Sequence, residues 1–68
     1  MSNDDKRGKL LSELRKRKKL TQRDLGDLIG YTDKNISKWE RGISFPNNPN
    51  IINKLAEIFE ISVEELMY

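Results

Sequence analysis

Sixty-eight residues with a net charge of +2 and no Cys or His leave little room for a catalytic or metal-binding protein. Disulfides and thiolate metal sites are excluded, and the commonest metal ligand and general base is missing. No apolar run approaches the roughly 20 residues needed to cross a bilayer, and the opening MSNDDKRGK lacks the apolar centre of a signal peptide. The net charge hides an asymmetry. Residues 1–42 carry 12 Lys and Arg against 7 Asp and Glu, whereas residues 43–68 carry 1 against 4. A basic end and an acidic end point to one face for a polyanion and one turned away from it, although charged helices are also simply solvated.

Taken in order, the chain spells five helices. Ser2 to Asp5 supplies several N-caps, and the acids favour the positive end of a helix running over about 5–18. Leu10, Leu11 and Leu14 form its apolar face, and Gly8 weakens it by roughly 1 kcal/mol relative to Ala. It ends in five cations, Arg15 to Lys19, which complement the negative helix end, contact phosphates, or do both. The second helix spans 21–29. Thr21 is its N-cap, and Asp24 stands where a capping-box partner belongs. Leu25 and Ile29 share one face, and Gly30 suits the left-handed residue after a helix. The third helix spans 32–41, capped by Thr32, with Ile36 and Trp39 inward. Asp33, Lys34, Asn35, Ser37, Lys38 and Arg41 fall on its outer side. Gly42 ends this helix, and the loop ISFPNNPN follows, with Phe45 expected to close over the core. Asn48 caps a fourth helix over 49–59, and Pro49 suits its first position. Ile51, Ile52, Leu55, Ile58 and Phe59 face inward. Ser62 caps a fifth helix over 62–67, with Glu65 completing a capping box, Val63 and Leu66 packing back, and Met67 and Tyr68 left over.

The stretch LTQRDLGDLIGYTDKNISKWERG, Leu20 to Gly42, organises the rest. The small residue Gly26, the turn residue Gly30 and the apolar pair Ile36/Trp39 have the spacing of a helix-turn-helix. TQRDL, LIGYT and ISKWERG together resemble the Cro/CI or XRE-like family of phage-repressor-type regulators, over about residues 8–66. That resemblance implies an all-α, five-helix DNA-binding domain filling residues 1–68, with the second and third helices as the helix-turn-helix. It implies an Arg15–Glu40 ion pair bracing the first helix against the third. It also implies that Gln22 clamps the DNA backbone and braces the next helix. Family members usually carry Ala where Gly26 stands. Around Pro46 one extra residue sits relative to the common family pattern, which leaves the loop's phosphate contacts open.

A helix lying in the major groove reads base edges from its N-terminal half. Asp33, Lys34, Ser37 and Lys38 recur at helical spacing and are the candidate base readers. Asp33 is the odd member. Phosphates repel its carboxylate unless it accepts from cytosine N4, and stabilisation of the first helical turn is its simpler role. Gln22, Arg15, Lys19, Asn35 and Arg41 are the candidate phosphate contacts; Arg15, Glu40, Trp39 and Gly30 are the candidate structural residues. The expected function is therefore sequence-specific binding of double-stranded DNA by a transcriptional regulator, a repressor in the usual family pattern, without enzymatic activity or cofactor. The expected partner is a palindromic operator bound by a homodimer, paired through the fifth helix or a further C-terminal region. A cytoplasmic protein of prokaryotic or phage origin is implied, with no membrane association and no small-molecule site. A protein-interaction module, such as an antitoxin or an antagonist-regulated component, is the alternative that the acidic second half would serve.

Overall fold

The computed structural model describes residues 3–68; the N-cap expected at Ser2 lies outside the described residues. Five α-helices follow one another: α1 (Asn3–Arg17), α2 (Gln22–Ile29), α3 (Asp33–Glu40), α4 (Pro49–Phe59) and α5 (Val63–Met67). No strand occurs among the described residues. The helix α1 starts before Asp5, so Asp4 and Asp5 lie inside its first turn, where the helix dipole favours them. The other boundaries fall within a residue of those expected.

Side-chain caps start four of the helices. Thr21 and Thr32 each accept from the backbone N–H three residues on, and the side chains of Asp24 and Asn35 return the bond to the cap backbone. Asn48 accepts from the Asn50 N–H at 2.9 Å with Pro49 at the first helical position. Ser62 accepts from Glu65 N–H at 3.0 Å. The full box expected there does not form. The Glu65 carboxylate accepts from the Ser62 hydroxyl, at 3.4 Å, rather than from the cap backbone.

The helix ends follow one rule that the glycines only half reveal. A left-handed residue stops each of α1 to α4: Lys19 (φ 58°), Gly30 (φ 78°), Gly42 (φ 77°) and Glu60 (φ 57°). In each case the next N–H reaches back five residues, as Leu20 to Arg15 O, Tyr31 to Gly26 O, Ile43 to Lys38 O and Ile61 to Ala56 O. These bonds satisfy carbonyls that the helix leaves open. Lys19 and Glu60 adopt a conformation that costs a non-glycine residue roughly 1–2 kcal/mol.

Every helix gives one fully buried side chain to a single core: Leu11, Leu25, Ile36, Leu55 and Leu66. Leu14, Ile29, Trp39, Ile51, Ile52 and Phe59 surround them. Ala56 is buried as well, whereas Leu10, Ile58 and Val63, expected inside, are only partly covered. Trp39 is 4% exposed and carries an aromatic row. Tyr31 lies 5.1 Å from it and Phe45 6.4 Å, ring centroid to ring centroid, so the loop does close over the core. Met67 is not left over: it is partly buried against the core, and only Tyr68, at 96% exposure, projects.

Arg7 holds this end together. Its Nε donates to the Met67 carbonyl at 2.9 Å, its guanidinium lies 6.0 Å from the Phe45 centroid, and it pairs with Asp4 at 3.4 Å. The first helix is thereby tied to the last and to the loop after α3.

Gly8 acquires a reason that helix propensity hides. It is buried where α1 crosses the end of α3, and a Cβ there would collide with the carbonyl oxygens of Trp39 and Glu40. Gly26 plays the same part inside the helix-turn-helix, where a Cβ would stand 2.6 Å from Tyr31 O. Gly8→Ala should therefore lower stability by about 1–3 kcal/mol in urea denaturation, as overpacking does. A gain of about 1 kcal/mol, the propensity value for an open helix position, would show that α1 and α3 are not in close contact.

Candidate nucleic-acid interface

The outward side of α3 is built by what the inward side buries. Ile36 and Trp39 go into the core, so helical geometry turns positions 33, 34, 37 and 38 away from it. Asp33, Lys34 and Lys38 are exposed, and Ser37 is half-buried beside them. Lys34 and Lys38 are one turn apart and form no ion pair among the described residues. Asn35 sits to the side. Its Oδ1 accepts from the Thr32 N–H at 3.3 Å and from the Thr32 hydroxyl at 2.8 Å, so its carbonyl is committed to the cap.

Three helices meet at one carboxylate behind this face. Arg15 Nε donates to Glu40 Oε2 at 2.6 Å and Nη2 donates to Oε1 at 3.1 Å, a two-pronged pairing. Gln22 Nε2 donates to the same Oε1 at 3.0 Å. The third arm of the guanidinium, Nη1, donates to the Leu20 carbonyl at 2.8 Å. The Arg15 and Glu40 side chains are only 11% and 7% exposed. The junction joins the end of α1, the start of α2 and the end of α3.

Arg15, expected both to brace the helices and to contact a phosphate, makes the bracing contacts through all three guanidinium nitrogens, in a place solvent scarcely reaches. The five-cation run does not act as a block. Arg15 turns inward, Lys18 reaches Glu60 at 3.2 Å on the surface, and Lys16, Arg17 and Lys19 stay exposed. Gln22 donates one amide hydrogen to Glu40, and its amide keeps a second donor and an acceptor. Arg41 is exposed and lies along α3, its Nε donating to Ser37 O at 3.3 Å. Two members of the framework carried no signal in the sequence. Arg7 looked like one more helical cation, and the Lys18–Glu60 pair joins residues 42 apart.

The start of α2 is closed by a reciprocal capping box. The Thr21 N–H donates to Asp24 Oδ2, and the Thr21 hydroxyl oxygen accepts from the Asp24 N–H, at 2.9 Å each. Donation from Thr21 to that carboxylate, backbone N–H first and hydroxyl second, holds the Asp24 carboxyl below its ordinary pKa of 3.8, with Arg23 adding to the effect. No group of three or more acids placed to hold a metal ion occurs among the described residues.

Comparison with known proteins places the chain. A family model described as a helix-turn-helix domain matches residues 8–68. The chain belongs to that family. This helix-turn-helix domain is of the Cro/CI type. It is similar to the P22 c2 repressor protein, whose crystal structure was determined in complex with synthetic operator 9T in the presence of Tl+. The two share 30% identity with a TM-score of 0.82, over 90% of this chain and 91% of that one. The five-helix arrangement is thus the phage-repressor fold. The helices also match part of HppE, in its cobalt(II) form with substrate, with a TM-score of 0.85. That likeness covers 98% of this chain and 37% of the HppE chain at 21% identity, and it concerns the fold alone. No curated protein sequence matches the chain. No helix among the described residues is long and apolar enough to cross a membrane.

Removing the shared carboxylate tests the junction. Glu40→Ala leaves a nearly covered guanidinium without its partner and should cost about 3–5 kcal/mol in urea denaturation. A loss under about 1 kcal/mol would mean that Arg15 and Glu40 are a solvent-screened surface pair.

Proposed function

We propose that this helix-turn-helix domain binds double-stranded DNA sequence-specifically, with α3 in the major groove, and acts as a transcriptional repressor by occupying its operator. One observation carries the reading. The face of α3 turned from the core bears two lysines without ion-pair partners among the described residues, flanked by Asp33 and Ser37, and the Glu40 junction braces its angle to the rest of the domain. Likeness to the P22 c2 repressor, itself crystallised with an operator, supports it.

Lys34 and Lys38 donate and suit guanine O6 and N7; Ser37 donates or accepts; Asp33 accepts. Gln22, at the amide-rich start of α2, and the exposed Lys19 and Arg41 contact phosphates and set the register. Asn35 adds a phosphate contact through its amide nitrogen, because its oxygen is held by Thr32. One domain covers only a few base pairs, so two copies bind half-sites about 34–36 Å apart on a palindromic operator. The acidic residues of the second half, Glu57, Glu60, Glu64 and Glu65, then belong to the side away from DNA.

Two measurements test this. Binding to a duplex selected from random sequences should weaken steeply as salt rises, with a log–log slope of about −0.9 for each phosphate neutralised. Lys34→Ala/Lys38→Ala should cost at least about tenfold in specific affinity, each good contact being worth ~1–3 kcal/mol, with the melting temperature unchanged. Equal affinity of the double variant and the parent for the selected duplex would remove α3 from the groove.

A further inference from the structure

The first residue of α3 carries a carboxylate that meets only the dipole of its own helix, with no hydrogen bond or ion pair among the described residues. Thr32 and Asn35 complete the capping box of this helix without Asp33. Asp24, the acid in the first turn of α2, is by contrast held by its cap at 2.9 Å. Asp33 is exposed and forms no hydrogen bond or ion pair among the described residues. Arg23 lines the same open hollow of about 260 Å³, together with Asp27, Tyr31 and Thr32, yet no ion pair joins it to Asp33.

We infer that Asp33 fixes the base at one position of each half-site. It does so by accepting a hydrogen bond from the exocyclic amine of cytosine or adenine and by keeping guanine and thymine out. This rests on the placement of α3 in the major groove. The only donors on the major-groove edges are cytosine N4 and adenine N6; guanine O6 and thymine O4 are acceptors. An ionised carboxylate only accepts. Among phosphates it is repelled, and it is tolerated best where an amine meets it. Opposite an acceptor oxygen it adds a second repulsion. Asp33 therefore contributes little to affinity and much to the difference between sequences, which is how an unfavourable element produces specificity. Lys34 and Lys38 can only donate. The same helix face thus carries an acceptor at its start and donors in the next turn, and it reads amine-bearing and acceptor-bearing base edges in a fixed order.

Selection from randomised duplexes with the parent, Asp33→Asn and Asp33→Ala tests this, with circular dichroism confirming the fold of each. The parent should prefer cytosine or adenine at one base pair per half-site. Asp33→Ala should flatten that preference by about 5- to 150-fold and leave the other positions intact. Asp33→Asn should keep or gain an adenine preference, because an amide pairs with adenine N6 and N7. In the selected duplex, purine in place of that adenine, or 2-pyrimidinone in place of that cytosine, removes the amine alone. This change should weaken the parent and leave Asp33→Ala unaffected, a coupling that a purely structural role of Asp33 would not produce. A parent that selects a sequence, with Asp33→Ala showing the same preference at every position or no coupling to the amine, overturns the inference and leaves α3 in the groove. A parent that selects no sequence overturns the groove placement and the inference with it.

Discussion

The Glu40 carboxylate is the constraint on which the geometry of this domain depends. It accepts from Arg15 of α1 and Gln22 of α2 while standing on the last residue of α3. Three elements of a small domain thus share one hydrogen-bonding centre, in a setting that is 7% exposed. Ion pairs of this kind are weak as sources of net stability, because desolvation offsets much of the attraction. The stability comes from elsewhere. Five fully buried aliphatic side chains, one per helix, each contribute about 1.5–3 kcal/mol of transfer free energy. What the junction adds is direction. Aliphatic packing tolerates a range of angles, whereas a guanidinium fork on a carboxylate does not. The outward angle of α3 follows from that difference.

Close approach of backbones does the rest of the positioning. Gly8 lets α1 lie against the carbonyls that end α3, and Gly26 lets α2 lie against the turn that begins it. Both ends of α3 are therefore held by contact with main chain. Trp39, between Tyr31 and Phe45, fills the space behind, and Arg7 fastens Phe45 and α5 to α1. In an 8-residue helix, pinned at both ends and in the middle, the outer side chains have a fixed origin. Such preorganisation suits recognition, because little ordering remains for the partner to impose.

Much of this was legible in the residues. Apolar spacing located five helices because each buries a stripe with 3.6-residue periodicity, and Ser, Thr and Asn caps marked the starts. The resemblance in ISKWERG pointed to the Arg15–Glu40 pair. Gly30 and Gly42 announced two helix ends, but Lys19 and Glu60 did not, since neither residue type carries a preference for the left-handed region. Gly8 was misleading for a related reason. Propensity counts only the helix a glycine sits in, and its purpose here lies in the helix that crosses it. Arg7 escaped for want of any local pattern, as its partners are Met67 and Phe45, far along the chain. Of the two roles expected of Arg15, the bracing one is visible in its bonds to Glu40 and Leu20; a phosphate contact depends on how many of its five N–H donors the fold leaves free, which sequence does not fix.

On the proposed function, the outer side of α3, together with the start of α2, is the surface that meets DNA. Backbone amide shifts recorded as a selected duplex is added would test it most directly. Large changes should gather at Gln22, at Asp33 to Lys38 and at Arg41, with α4 and α5 little affected. Shifts concentrated on Glu57, Glu60, Glu64 and their neighbours, with α3 silent, would contradict it.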